Sequence, residues 1–249
     1  MIAMTSGNPV SCVSADALPP DGPLPGLAKR IIELLRVEKN DLVVDLCRHF
    51  QPPQAMLEES RPRDQIIAPS PFGERLAFLV LTSGVRMVQM GTLIFGQYPM
   101  RYEKVLLRDG FSLFKDSLRQ LLAAVFKQLD PAARFLIVDS APSSDAPLFA
   151  EGLRRWKRQH RSPEVIAELM REAGFSAQVE RVECLRRVSA AECYAWVESR
   201  DWPILDSFPE AELQHGLCEL RARYSPERMV DFTSRFDLVL GMKPEALKN

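Results

Sequence analysis

The chain has 249 residues, 46% hydrophobic and 26% charged, which is room for one large α/β domain or two small ones with an unstapled core. Its 32 Lys and Arg against 33 Asp and Glu leave a formal charge of -1, so no global field favours nucleic acid or an anionic membrane. Five cysteines (Cys12, Cys47, Cys184, Cys193, Cys218) without a C-x-x-C spacing exclude a disulfide framework and read as cytosolic thiols, and three histidines (His49, His160, His215) form no metal-ligand pattern.

The N-terminal stretch MIAMTSGNPVSCVSADALPPDGPLP lacks a basic start and a continuous apolar run. It does not read as a signal peptide, and residues 1–22 are expected to be a flexible arm. From Pro25, Leu27, Ile31, Leu34 and Leu35 recur at helical spacing. Leu42 to Leu46 is an apolar strand suited to burial on both faces. A helix or loop over Gln54 to Ser60, a short strand Gln65 to Ala68 and a helix Phe72 to Leu81 follow. Further strands are expected at Val85 to Gln89 and Lys104 to Leu107, then an amphipathic helix Ser112 to Leu129 and a strand Phe135 to Val138. PSSDAP (Pro142 to Pro147) is a loop. Ser162 caps a helix with Pro163 in its first turn, and Gly174 supplies its left-handed stop. Ala177 to Val182 and Phe236 to Leu240 are the last strands. Between them SAAE (Ser189 to Glu192) and SFPE (Ser207 to Glu210) have capping-box spacing and start two helices. Strands alternating with helices predict an α/β fold with a mostly parallel, doubly wound sheet of seven strands and helices on both faces. The expected organisation is one domain over 23–244 with a helical insertion at about 185–224, and a tail at 245–249. No span of about 18 apolar residues suggests a membrane helix, and a cytoplasmic location is expected.

Several segments in this order resemble class I S-adenosylmethionine (SAM)-dependent methyltransferases. Val43-Val44-Asp45-Leu46 is similar to the family's first strand, YEKVLL (Tyr102 to Leu107) to its fourth, and QLDPAARFLIVD (Gln128 to Asp139) to its fifth, with REAGF and DFTSRFDLVLGMKP later. The likeness spans about residues 25–244 and implies a Rossmann-like fold with its pocket at the carboxyl ends of the strands.

The resemblance also implies three devices for gripping the cofactor, and here each is altered. Cys47-Arg48-His49-Phe50-Gln51 stands in place of the glycine-rich turn after Asp45. Ala68 stands where an acidic residue holds the ribose. Thr92 or Gly91 stands at the adenine position. An unreplaced ribose contact costs about 1–3 kcal/mol, and overlap with Arg48 and His49 about as much again, so affinity should fall about a hundredfold. This predicts weak or absent SAM binding in the usual pose, and no metal. The implied function is a degenerate methyltransferase-fold protein that acts as a binding or regulatory protein, or reuses the pocket for another reaction. The alternative is an active SAM-dependent methyltransferase acting on a small molecule. The expected partner is a small-molecule ligand or another protein, not nucleic acid or a membrane.

Candidate catalytic residues are His49, as an acid or base, with Arg108 and Asp109 after the fourth strand. Against these stand bland readings: Arg48 and His49 plug a cavity, Cys47 packs as an apolar residue, and Arg108-Asp109 pairs internally. Asp139 is either site-facing or a cap. Trp156 and His160, four apart, share a helical face in a stretch that covers the acceptor site in the family. The basic cluster Arg154, Arg155, Lys157, Arg158 and Arg161 reads as an anion-recognition surface or a solvated face.

Overall fold

The computed structural model describes residues 25–37, 42–47, 86–91, 102–108, 118–143 and 145–245. The first helix, α1 (Pro25–Leu35), buries Leu27, Ile31 and Leu35, one residue per turn. Its last carbonyls are satisfied by cations from the sheet. Arg134 donates to the Leu34 carbonyl and Lys104 to that of Arg36, both at 2.5 Å.

Six strands are present among the described residues: β1 (Leu42–Cys47), β2 (Arg86–Gly91), β3 (Tyr102–Arg108), β4 (Leu129–Ala141), β5 (Ser176–Ser189) and β6 (Met229–Met242). Their order in the sheet is β2-β1-β3-β4-β6-β5. The first four are parallel, and β6 runs antiparallel to both of its neighbours. This is the expected mostly parallel α/β sheet. The strand expected at Gln65 to Ala68, which would make a seventh, lies outside the described residues, as do the segments Gln54 to Ser60 and Phe72 to Leu81.

The core strands are apolar on both faces because both are covered. Val43, Leu106, Leu136, Val138 and Leu238 face α1. Val44, Val105, Leu107, Phe135, Ile137 and Val239 face the other layer. That layer is α2 (Leu118–Gln128), with Leu118, Leu121, Leu122 and Val125 buried, and α4 (Pro163–Glu172), with Ile166, Ala167 and Met170 buried. Helix α3 (Ala150–Gln159) precedes α4. The Ser162 hydroxyl accepts from the Glu164 N–H, Pro163 takes the first turn, and Gly174 ends the segment at φ 103°. Leu129, expected to end the preceding helix, already belongs to β4, and residues 112–117 lie outside the described set.

Strands β5 and β6 are longer than the expected Ala177 to Val182 and Phe236 to Leu240. They pair from Ser176↔Met242 to Ser189↔Met229, well past the last β4 pairing, Ala141↔Arg235. This two-stranded ribbon is amphipathic and charged (ERVECLRRVS), so no apolar run announces it. At its end sit α5 (Ala190–Glu198), a short 3-10 helix (Pro203–Ser207) and α6 (Glu210–Arg223), which pack with α3 around Phe149, Leu205, Phe208 and Leu217. The box expected at Ser189 and Glu192 forms, with both hydrogen bonds present. The one expected at Ser207 and Glu210 does not. Ser207 is the last residue of the 3-10 helix and its hydroxyl donates to the Ile204 carbonyl, so α6 starts from Pro209 without a side-chain cap. Glu210 accepts from Arg200 and Gln214 instead.

Candidate functional site

The strand register aligns Gly91 with Cys47, Cys47 with Arg108, and Arg108 with Val138. Four parallel strands therefore reach a common carboxyl edge. The chain leaves β1 toward β2 on one side, while β3 lies on the other. The order thus reverses between β1 and β3, the position where open α/β sheets form a ligand crevice.

The sequence-predicted residues distribute along this edge. Asp45 and Cys47 lie in β1, with Cys47 at its last position beside Arg108. Arg108 closes β3 and is buried; the alternation of the strand puts it on the face of Leu106, toward α1. Arg48, His49, Ala68, Thr92 and Asp109 lie outside the described residues. In the chain, Arg48, Thr92 and Asp109 directly follow Cys47, Gly91 and Arg108.

At the end of β4, on the α2–α4 face, the structure assembles a polar group that the sequence shows only in fragments. Asp139 and Asp237 are register partners across β4 and β6. His160 caps the end of α3, its N–H donating to the Trp156 carbonyl at 2.8 Å. Its Nε2 lies 3.0 Å from Asp237 Oδ2, and its Nδ1 lies 3.8 Å from Asp139 Oδ2. The second oxygen of Asp237 accepts from Arg181 Nε at 3.2 Å, and Arg181 also pairs with Glu164 at 2.8 Å. Asp237 is buried, and a buried carboxylate is tolerated when both oxygens are engaged in this way. His160 is the extended cap residue just past α3, so it does not share a helical face with Trp156, but both reach the β4–β6 end of the sheet: the Trp156 indole N–H donates to the Ser140 carbonyl at 3.3 Å, anchoring α3 over the end of β4. Asp237 and Arg181 were missed in the sequence. The signal that could have found Asp237 is a lone carboxylate interrupting the apolar run FDLVL.

The three tryptophans continue from this point. Trp156 stacks near Trp202 (centroids 5.4 Å apart) and Trp202 near Trp196 (6.5 Å), with the Arg186 guanidinium 4.7 Å over the Trp196 ring.

The basic cluster on α3 is largely paired. Arg154, Arg155 and Arg158 all reach Glu151, and Arg155 also reaches Glu212. The Arg155 hydrogen bond holds the Glu151 carboxyl below its ordinary range. Arg154, Arg155 and Arg158 thus form an ion-paired face. Burial pushes the Cys193 thiol up to about 11, which makes it an inert packing group. Among the described residues no group of His, Cys, Asp and Glu is arranged to hold a metal ion, and no helix is long and apolar enough to cross a membrane.

No protein-family model and no curated protein matches the chain. Solved structures are similar to it in fold. One is Haemonchus contortus phosphoethanolamine N-methyltransferase 2 in complex with S-adenosyl-L-methionine: 13% identity, TM-score 0.47, covering 88% of this chain and 52% of that one. The chain thus spans about half the length of that enzyme. Another is the YcgJ protein of Bacillus subtilis, with 14% identity, TM-score 0.46 and 88% and 98% of the two chains covered. A third is a chain of the Haloferax volcanii complex between the Trm112 methyltransferase activator and a methyltransferase, with 16% identity, TM-score 0.45 and 88% and 89% covered.

Proposed function

We propose that this chain takes an adenosyl cofactor at the carboxyl ends of β1 and β3 and acts as a SAM-dependent methyltransferase on a small molecule. The reading is supported by one observation: Gly91, Cys47 and Arg108, the last residues of β2, β1 and β3, stand level with Val138 of β4 where the strand order reverses. The sequence resemblance supplies the ligand class. The charged groups at this edge are the buried Arg108 at the last position of β3, toward α1, and the Asp139–His160 pair at the end of β4 on the opposite face. When bound, SAM supplies an electrophilic methyl group.

The test is calorimetric titration of the full chain with SAM and with S-adenosylhomocysteine. Micromolar affinity for both is expected. No heat, and no thermal shift at millimolar ligand, would overturn the reading.

A second reading is favoured by the glycine-free turn Cys47-Arg48-His49-Phe50-Gln51. In it Arg48 and His49 fill the nucleoside space, and the fold serves as a binding or regulatory protein or runs another reaction. Its test is the double variant R48G/H49G, which should gain SAM affinity by about tenfold or more if those side chains are the plug. An unchanged affinity refutes it.

A further inference from the structure

Asp237 fixes the protonation pattern of His160. A carboxylate accepts hydrogen bonds and donates none, so at the 3.0 Å contact the imidazole must donate from Nε2. In the neutral ring this leaves the lone pair on Nδ1. That nitrogen is 3.8 Å from Asp139 Oδ2, beyond hydrogen-bond range, so Asp139 does not tie it down. The partner and its backbone frame are braced: Arg181 holds the other oxygen of Asp237, and the end of α3 is anchored by Trp156 on Ser140. His160 retains 15% and Asp139 13% side-chain exposure, whereas Asp237 retains 5%, so the imidazole is less deeply buried than the carboxylate that holds it.

We infer that His160 is a catalytic proton acceptor on the acceptor side of this crevice, and that Asp237 is its positioning residue. The inference rests on the methyl-transfer reading. The acceptor is a small molecule carrying an O–H or N–H. Its heteroatom–hydrogen bond breaks, the electron pair stays on the heteroatom, and the proton forms a new bond to Nδ1. The imidazolium that results lies between the carboxylates of Asp139 and Asp237, which stabilise it. The charged groups around the ring are Asp139 on β4, Asp237 on β6, Arg181 on β5, Glu164 on α4 and the neighbouring Arg161.

The test uses long-range proton–nitrogen NMR on the full chain, with the His160 ring assigned from H160Q. In the neutral form of the ring the expected result is a proton on Nε2 and a bare Nδ1, becoming a tautomer mixture in D237N. Diethylpyrocarbonate supplies a second measurement on the wild type alone. An open Nδ1 lone pair should be carbethoxylated within about tenfold of the rate at His215, whereas a merely structural, sealed histidine should lag by about a hundredfold or more. A proton on Nδ1 in the neutral ring, or the slow rate, overturns the inference. Loss of S-adenosylhomocysteine binding in wild type with the Nε2–H tautomer intact sinks the methyl-transfer reading instead, so the two failures are told apart.

Discussion

Gly216 lies within α6, where alanine would ordinarily be the better residue by about 1 kcal/mol. The packing around it predicts the opposite sign. A Cβ at this position would stand 2.5 Å from two carbons of the Phe149 ring and 2.7 Å from a third. That ring is 2% exposed and packs edge-to-face on Phe208 with centroids 5.1 Å apart, so it has nowhere to move. Accommodating the methyl group needs a shift of nearly an ångström, and overpacking of this kind costs about 1–3 kcal/mol. Set against the propensity gain, G216A should forfeit that gain and destabilise the protein by up to about 2 kcal/mol. Urea unfolding measures it, with G26A as the control: Gly26 is also helical, but nothing lies within 4 Å of its added Cβ, so that variant should be neutral or slightly stabilised. Pairing G216A with F149L should recover most of the loss. Because Phe149 precedes α3, which carries Trp156 and is followed by His160, G216A should also loosen the His160–Asp237 contact. A G216A protein more stable than wild type by about 1 kcal/mol, the full propensity gain, would refute the packing argument.

Removing the cap of α5 with S189A should cost about 1 kcal/mol, whereas S207A should cost less than about half of that because Ser207 does not cap α6; equal losses by urea unfolding would contradict the assignment. The acid limb of stability should depend on Glu180. The Arg30 hydrogen bonds, which tie α1 to β5, hold the Glu180 carboxyl below its ordinary value of 4.5. A depressed carboxylate contributes stability that is present above the unfolded value and lost as pH falls through the folded one, so E180Q should narrow the loss below about pH 4.5. Both side chains are more than a third exposed, so the effect at neutral pH should be under about 1 kcal/mol; an unchanged acid limb in E180Q would count against it.

Much of the sheet core and of the local helix chemistry was legible in the chain itself. Ser162, Pro163 and Gly174 cap, open and stop α4 as their types require, and Ser189 with Glu192 closes its box. The apolar strands β1, β3 and β4 and the order of elements were also readable, because periodicity and capping act over one turn or a few strand positions. What the sequence could not decide depends on partners distant in the chain. The β5–β6 ribbon extends through polar residues because each strand finds the other's backbone, and backbone pairing leaves no mark on side-chain pattern. Ser207 has the same spacing to a glutamate as Ser189, yet packing of Phe208 and Leu205 draws it into a 3-10 turn. His160 and Asp237 stand 77 positions apart, and only the antiparallel pairing of β6 on β4 brings the carboxylate under the ring. Local chemistry determined which elements form; sheet register, a long-range property, decided which side chains meet at the carboxyl edge.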